Sequence, residues 1–423
     1  MADANRIRTE VALLLVVLSL HCGGGGEEDG ALVFPRFPDP ILRFDIENDS
    51  TTAALAVRDG VWWIVSPIED RADSSMIDGL IRSLRGAAVL GIADEDPPFA
   101  RSYGLRPPRA RVTVGGREIL VGLRSPGGEG VYISEPGVKR VLLATGKMAP
   151  ILDLPLRRLR DHRLLRFPPS EVRRVSVEQR GRSWTIERRG DDRWFVAEAG
   201  LRADPKFPWG VVRAVNVSRI HSFSEETEFR EGPRPFRVTV GWAGGEGTLE
   251  IGDAVPETSL LLARATDRPG LFRLPRYVRD SLFAHAAEPL DRSLLGLDPL
   301  EADRVRLIEG GNEVCTLART GKGWTVTKGE TFPADPARTR AWLRNLGNLE
   351  AIAFLPPGAP DEEVTPRWTV EADGETVSVI EGGAGFVARR EGERGALILP
   401  DGARAVFSVT LGDLLVPATP PER

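Results

Sequence analysis

Hydrophobic and polar positions along this chain alternate in short runs, and the runs recur at long range. In "VRRVSVEQRGRSWTIERRGDDRWFVAEAGLRAD", Val175 and Val177, then Trp184 and Ile186, stand at every second position. That is the pattern of half-buried antiparallel strands. "ILRFDIENDSTTAALAVRDGVWWIVSPIEDRAD" and "VRLIEGGNEVCTLARTGKGWTVTKGETFPAD" repeat the plan. Each gives two extended runs, a turn, a tryptophan-led strand and Ala-Asp. Trp62, Trp194 and Trp324 lie 132 and 130 residues apart, and Asp73, Asp204 and Asp335 lie 131 and 131 apart.

After each aspartate the period becomes helical. Met76, Leu80 and Leu84 recur at four-residue intervals, as do Phe207, Val211 and Val215, with Trp342, Leu346 and Leu349 in the third copy. Two further strand runs follow every helix, each split by a glycine-bearing turn: "RVTVGGREILVG", "RVTVGWAGGEGTLEIG" and "TVEADGETVSVIEG". A last hairpin comes from "GVYISEPGVKRVLLA", "SLLLARATDRPGLFRLP" and "GFVARREGERGALILP". Two copies close on a matching tail, Asp161 to Leu165 and Asp291 to Leu295, and the third has an echo at Asp413-Leu414-Leu415. The pattern predicts an α+β chain of three tandem modules, 41–166, 167–297 and 298–423, the last with a shortened end. Each module is an antiparallel strand meander plus a capped helix and further hairpins.

The repeated aspartates invite acid–base or metal chemistry. Their position just before a helical pattern supplies a simpler cause, because a carboxylate there accepts hydrogen bonds from the unpaired N–H groups of the first turn. Asp73, Asp204 and Asp335 are therefore expected to be helix caps, with Pro205 and Pro336 at the first helical position. Trp62, Trp194 and Trp324 are expected in the core between sheet and helix. Trp63 points to the opposite face and is the better candidate for surface contact.

The N-terminus raises a different matter. Arg6 and Arg8 precede the apolar run Val11 to Leu20, which ends in Cys22 and four glycines. Ten helical residues reach about 15 Å, half of a hydrocarbon core of about 30 Å. The length suits a signal-peptide core, and Ser19-Leu20-His21-Cys22 resembles a bacterial lipoprotein signal with Cys22 as the lipidated residue. Ser19 and His21 depart from that pattern. The expectation is a signal peptide over 1–21 and a flexible tether over 22–40. Gly23, where aspartate is associated with inner-membrane retention, favours the outer membrane.

Composition adds exclusions. A net charge of -5 over 423 residues argues against a general nucleic-acid binder, which needs a basic surface. His21, His162, His221 and His285 form no metal-ligand spacing, so neither a metal nor a cofactor is expected. No GxSxG elbow occurs. Cys315 lies in an alternating strand and reads as a buried, inert thiol. The basic stretch "RRLRDHRLLR" predicts an amphipathic helix whose Arg157, Arg158 and Arg160 could meet an acidic partner or anionic lipid.

The tryptophan strand, the Ala-Asp helix start, "YGLRPPRARVTV" (Tyr103 to Val114), "GVYIS" and "LRDHRLL" together resemble an uncharacterised bacterial family, a domain of unknown function. The resemblance covers most of residues 41 to 417; the third copy has "DEEVTPRWTV" in place of a Tyr-Gly-Leu segment. It implies envelope proteins encoded beside gliding-motility-type ABC transport systems, with no agreed catalytic residues. The expected function is non-catalytic: a lipid-anchored, periplasm-facing accessory or scaffold whose partners are membrane transporter subunits. The alternatives are a glycan- or peptidoglycan-binding module using Trp63, and a hydrolase assembled from His162 or His221 with a serine and a carboxylate.

Overall fold

The computed structural model describes residues 31–416, apart from 36, 38, 99, 180, 191–192, 232–235, 286–288, 322, 359–364 and 383–384. Cys22 and the signal segment lie outside the described residues. The chain divides into two compact units, Met1–Asp161 and His162–Arg423. The described residues form one nine-stranded sheet in the first unit and two in the second, all of them antiparallel.

In the first unit the strands are β1 (Arg43–Asn48), β2 (Thr51–Arg58), β3 (Val61–Ser66), β4 (Asp70–Arg71), β5 (Val89–Asp94), β6 (Ala110–Val114), β7 (Arg117–Arg124), β8 (Gly130–Ser134) and β9 (Val141–Thr145). Their order across the sheet is β4-β3-β2-β1-β6-β7-β8-β9-β5. Two meanders, β1 to β4 and β6 to β9, meet where β1 pairs with β6. Tight turns fix the register. Arg58 pairs with Val61 across Asp59 and Gly60, whose φ values of 50° and 74° make the primed turn that suits strand twist. The same strand order recurs in both sheets of the second unit, so the protein is α+β with three tandem modules.

Helix α1 (Ser74–Arg85) leaves β4 at one edge and delivers the chain to β5 at the other. Twelve helical residues span about 18 Å, whereas nine strands are about 38 Å wide, so the helix must lie across a sheet face. Its buried side is Ile77, Leu80 and Leu84, which join inward residues such as Phe44, Leu55, Val112 and Val131 in one core. Met76 is half-buried, and Ile77 takes the core position expected of it. The counterparts are α2 (Lys206–Val217) and α3 (Pro336–Gly347). Phe207, Val211 and Val215, then Trp342, Leu346 and Leu349, are buried in their respective cores.

The module boundaries differ from those the repeats suggest. Leu164, Leu165 and Phe167 pack into the core of the second module, and Leu294 and Leu295 into that of the third. Each Leu-Leu tail therefore opens the following module. It is fastened there by backbone bonds: Ile220 N–H to His162 O at 2.8 Å, and Ala351 N–H to Arg292 O at 2.7 Å. Val33 and Phe34 play the same part in the first core, with Val33 N–H on Ala87 O at 2.9 Å. The described part of the expected tether, from Ala31 onward, thus includes built core structure. The Asp413-Leu415 echo also moves: Asp335 N–H meets Leu414 O, as Asp73 N–H meets Leu159 O. It corresponds to Arg158-Arg160 instead of the Leu-Leu tail.

Candidate functional site

The aspartates sit at the helix starts. Asp73 accepts from Met76 N–H at 3.0 Å, and Asp335 accepts from Ala337 and Arg338 N–H groups at 2.9 and 3.0 Å. Those backbone bonds, Arg338 foremost, hold the Asp335 carboxyl below its ordinary range. Asp204 accepts from Lys206 N–H at 2.8 Å, one residue beyond Pro205, which already has helical dihedrals but precedes the helix instead of occupying its first position. Trp62 and Trp194 are buried; Trp324 is only half-buried, its ring lying 5.0 Å from the Arg319 guanidinium carbon. Trp63 is half-buried with the Arg58 guanidinium 5.7 Å from its ring centre. A sugar would have to displace that cation to stack there.

The basic stretch is not the expected helix. Only Leu156–Leu159 is helical, because Arg160 turns into a bridge with Ala72. Arg157 and Arg158 are exposed, but Arg160 donates to the fully buried Asp70 at 2.6 Å. Arg160 is thus a structural residue and not a surface contact. His162 meets the carbonyl of Ile220 at 3.1 Å and stands edge-on to Phe223, 5.1 Å away. His221 is exposed, 3.4 Å from Ser222 Oγ. Neither lines the two cavities described below. Among the described residues, no group of three or more His, Cys, Asp or Glu side chains could hold a metal ion.

Two charged clusters escaped the sequence reading. One is buried within the second unit. Arg202, 7% exposed, donates to Glu375 at 2.8 Å and to Glu393 at 3.1 Å. Arg390, 3% exposed, pairs with Glu393 at 3.1 Å and donates to the carbonyls of Asp291 at 2.8 Å and Leu294 at 3.2 Å. Burial works against both cations. Glu375 and Glu393 outweigh it at Arg202, whose pKa is raised, whereas burial prevails at Arg390, whose pKa is lowered. With every charge closed in by a partner, this cluster is the joint between the second and third modules.

The other cluster is open. On the outer face of the first module, a groove of about 580 Å³ lies between the segment from Ala100 to Pro108 and the β8–β9 turn. That segment lies close on the sheet because β7 carries Gly122, where a Cβ would overlap the carbonyl oxygen of Tyr103. Arg109 N–H bonds at 3.1 Å to Gly104 O and at 3.0 Å to Val121 O complete the attachment. Tyr103 packs edge-on against Tyr132, with ring centres 4.8 Å apart, and donates to Asp94 at 3.1 Å. That hydrogen bond raises the phenol's pKa. Across the groove the buried Ser134 hydroxyl lies 3.0 and 2.9 Å from the carbonyls of Val138 and Arg140, which fixes the turn.

Leu105, Leu120 and Val141 give the groove an apolar floor, and Arg101, Arg106, Arg111 and Lys139 stand around it with Glu135. Arg111 is held by Glu118 at 2.8 Å and Glu47 at 3.5 Å, and Lys139 by Asp96 at 3.2 Å. Arg101 and Arg106 are exposed, and among the described residues no carboxylate pairs with either. Such a site can hold an anionic group over an apolar floor. A smaller cavity of about 60 Å³ in the second module is lined by Glu178, Glu231, Glu250 and Arg237. Its arginine already binds Glu178 at 2.8 Å and Glu250 at 3.1 Å.

Among the described residues, no helix is long and apolar enough to cross a membrane. No curated protein and no solved structure matches the chain. A family match does, over residues 62–227 and 225–366. Its two copies run out of frame with the sheets: the first begins within β3 and runs through the rest of the first module into the first meander and helix of the second, and the second joins the second meander of the second module to the first meander and helix of the third. By these two adjacent matches, which span most of its length, the chain belongs to the family described as Domain of unknown function (DUF4340).

Proposed function

We propose that this protein is a non-catalytic, lipid-anchored envelope protein that serves as an accessory or scaffold to a transport or gliding-type ABC system. The observation that carries the reading is the outer-face groove of the first module. Its two uncompensated guanidiniums and apolar floor suit holding a partner's anionic segment. The apolar run before Cys22 supplies the address, and the glycines after it supply reach. Scaffolding also fits the paired buried charges at the second joint, which tie modules together and leave outer faces free to bind.

Cross-linking in native cells followed by mass spectrometry tests the reading. Membrane transporter subunits are the expected adducts, and their absence from repeated experiments overturns it. The address is tested separately. Fatty-acid labelling is expected on the parent chain and lost in Cys22→Ala, which should also leave the membrane fraction. A Cys22→Ala chain that stays with membranes, from an unlabelled parent, removes the anchor from the proposal.

A further inference from the structure

The β8–β9 turn beside the groove has a counterpart that already binds a protein surface. Val131 pairs with Ala144 in the first module as Phe386 pairs with Leu399 in the third, and the intervening segments have equal length. Glu135, Val138 and Lys139 therefore occupy the places of Arg390, Glu393 and Arg394. Likewise Val114–Arg117 and Ala372–Glu375 are matching turn pairs, which puts Arg117 in the place of Glu375.

In the third module this face receives a β-turn of the second. Glu375 and Glu393 take Arg202, Arg394 N–H bonds Gly200 O at 3.0 Å, and Arg394 Nη2 bonds Ala197 O at 3.1 Å. In the first module the same face is exposed at Pro136, Gly137, Val138 and Lys139. Its charges are recoded: Arg117, which itself donates to Glu135, replaces one receiving carboxylate and Val138 the other, so the cations left to a partner are Arg101 and Arg106, which stand nearby without a carboxylate among the described residues.

We infer that this face docks a β-turn of a partner protein that carries carboxylates where Arg202 carries its guanidinium. The inference rests on the scaffold reading and names the partner's surface. A second copy of the chain is the wrong occupant, because its corresponding turn offers Pro333 where the second module has Arg202. The recoded face also lacks both of the carboxylates that would receive an arginine.

The test uses the full chain in detergent micelles and two disulfide-closed hairpin peptides copying Trp194 to Ala203. One peptide keeps the arginine and the other carries Arg202→Glu. The acidic peptide is expected to bind at least about tenfold more tightly, with the difference shrinking as salt rises. The double variant Arg106→Glu, Lys139→Glu, both at exposed positions and checked by circular dichroism, should reverse the order. Equal binding, or preference for the arginine peptide by the parent chain, overturns the inference. So does self-association of the chain that Val138→Glu abolishes, since the occupant would then be a second copy. If transporter subunits still cross-link in cells while the peptides show no preference, the docking face is wrong and the scaffold reading stands.

Discussion

At Gly122, β7 passes beneath the carbonyl of Tyr103, and Gly252 does the same beneath the carbonyl of Arg230. The register places Ile380 at the corresponding point of the third module, where the Tyr-Gly-Leu segment is missing. In the first two modules the glycine lets the overlying segment come this close. Gly122→Ala should cost the first unit about 1–3 kcal/mol by overpacking, read from urea unfolding. Asp73→Ala should cost about 1 kcal/mol through its lost cap. Cys315 is fully buried, and burial pushes its thiol up from an ordinary 9.0 to about 11. Its contribution is complete below pH 9 and is lost as pH rises through about 11. Parent and Cys315→Ala should therefore show stability curves that converge over that interval. At this scale the caps were legible, because an aspartate before a helical period has a local cause. Arg101 and Arg106 were not. Whether a cation is paired depends on distant carboxylates, such as Glu47 and Glu118 for Arg111, that only strand register brings near.

Strands, turns and helices were legible as elements because each obeys a short-range rule of period or turn chemistry. Their assignment to modules was not. The Leu-Leu tails follow one module in sequence, yet bury their side chains in the next. Adjacency along the chain gave no sign of which core would take them. The "RRLRDHRLLR" helix failed for a related reason: Arg160 is drawn away by the buried Asp70, which fixes the backbone in an extended bridge. Leu165→Ala should destabilise the second unit by about 2–5 kcal/mol and leave the first unchanged. Limited proteolysis with fragment mapping distinguishes the two, since only fragments from beyond Asp161 should appear sooner.

The second and third modules are held by charges taken out of water. Removing one partner from such a cluster leaves the others unpaid in solvation, which makes it a sensitive joint. Arg202→Met should cost about 3–5 kcal/mol and split the calorimetric transition of the second unit into two. The repeat frame has a consequence for how such chains change length. The second family match joins the rear half of one sheet to the front half of the next, and the first begins within β3, so the ends of both fall within sheets. Inserting one more copy would complete the half-sheet before it and begin another that the following half completes. The number of whole sheets would rise by one with no unpaired seam. In such an array the unit of inheritance is the junction with its two flanking halves, and the folded module is what neighbouring copies make together.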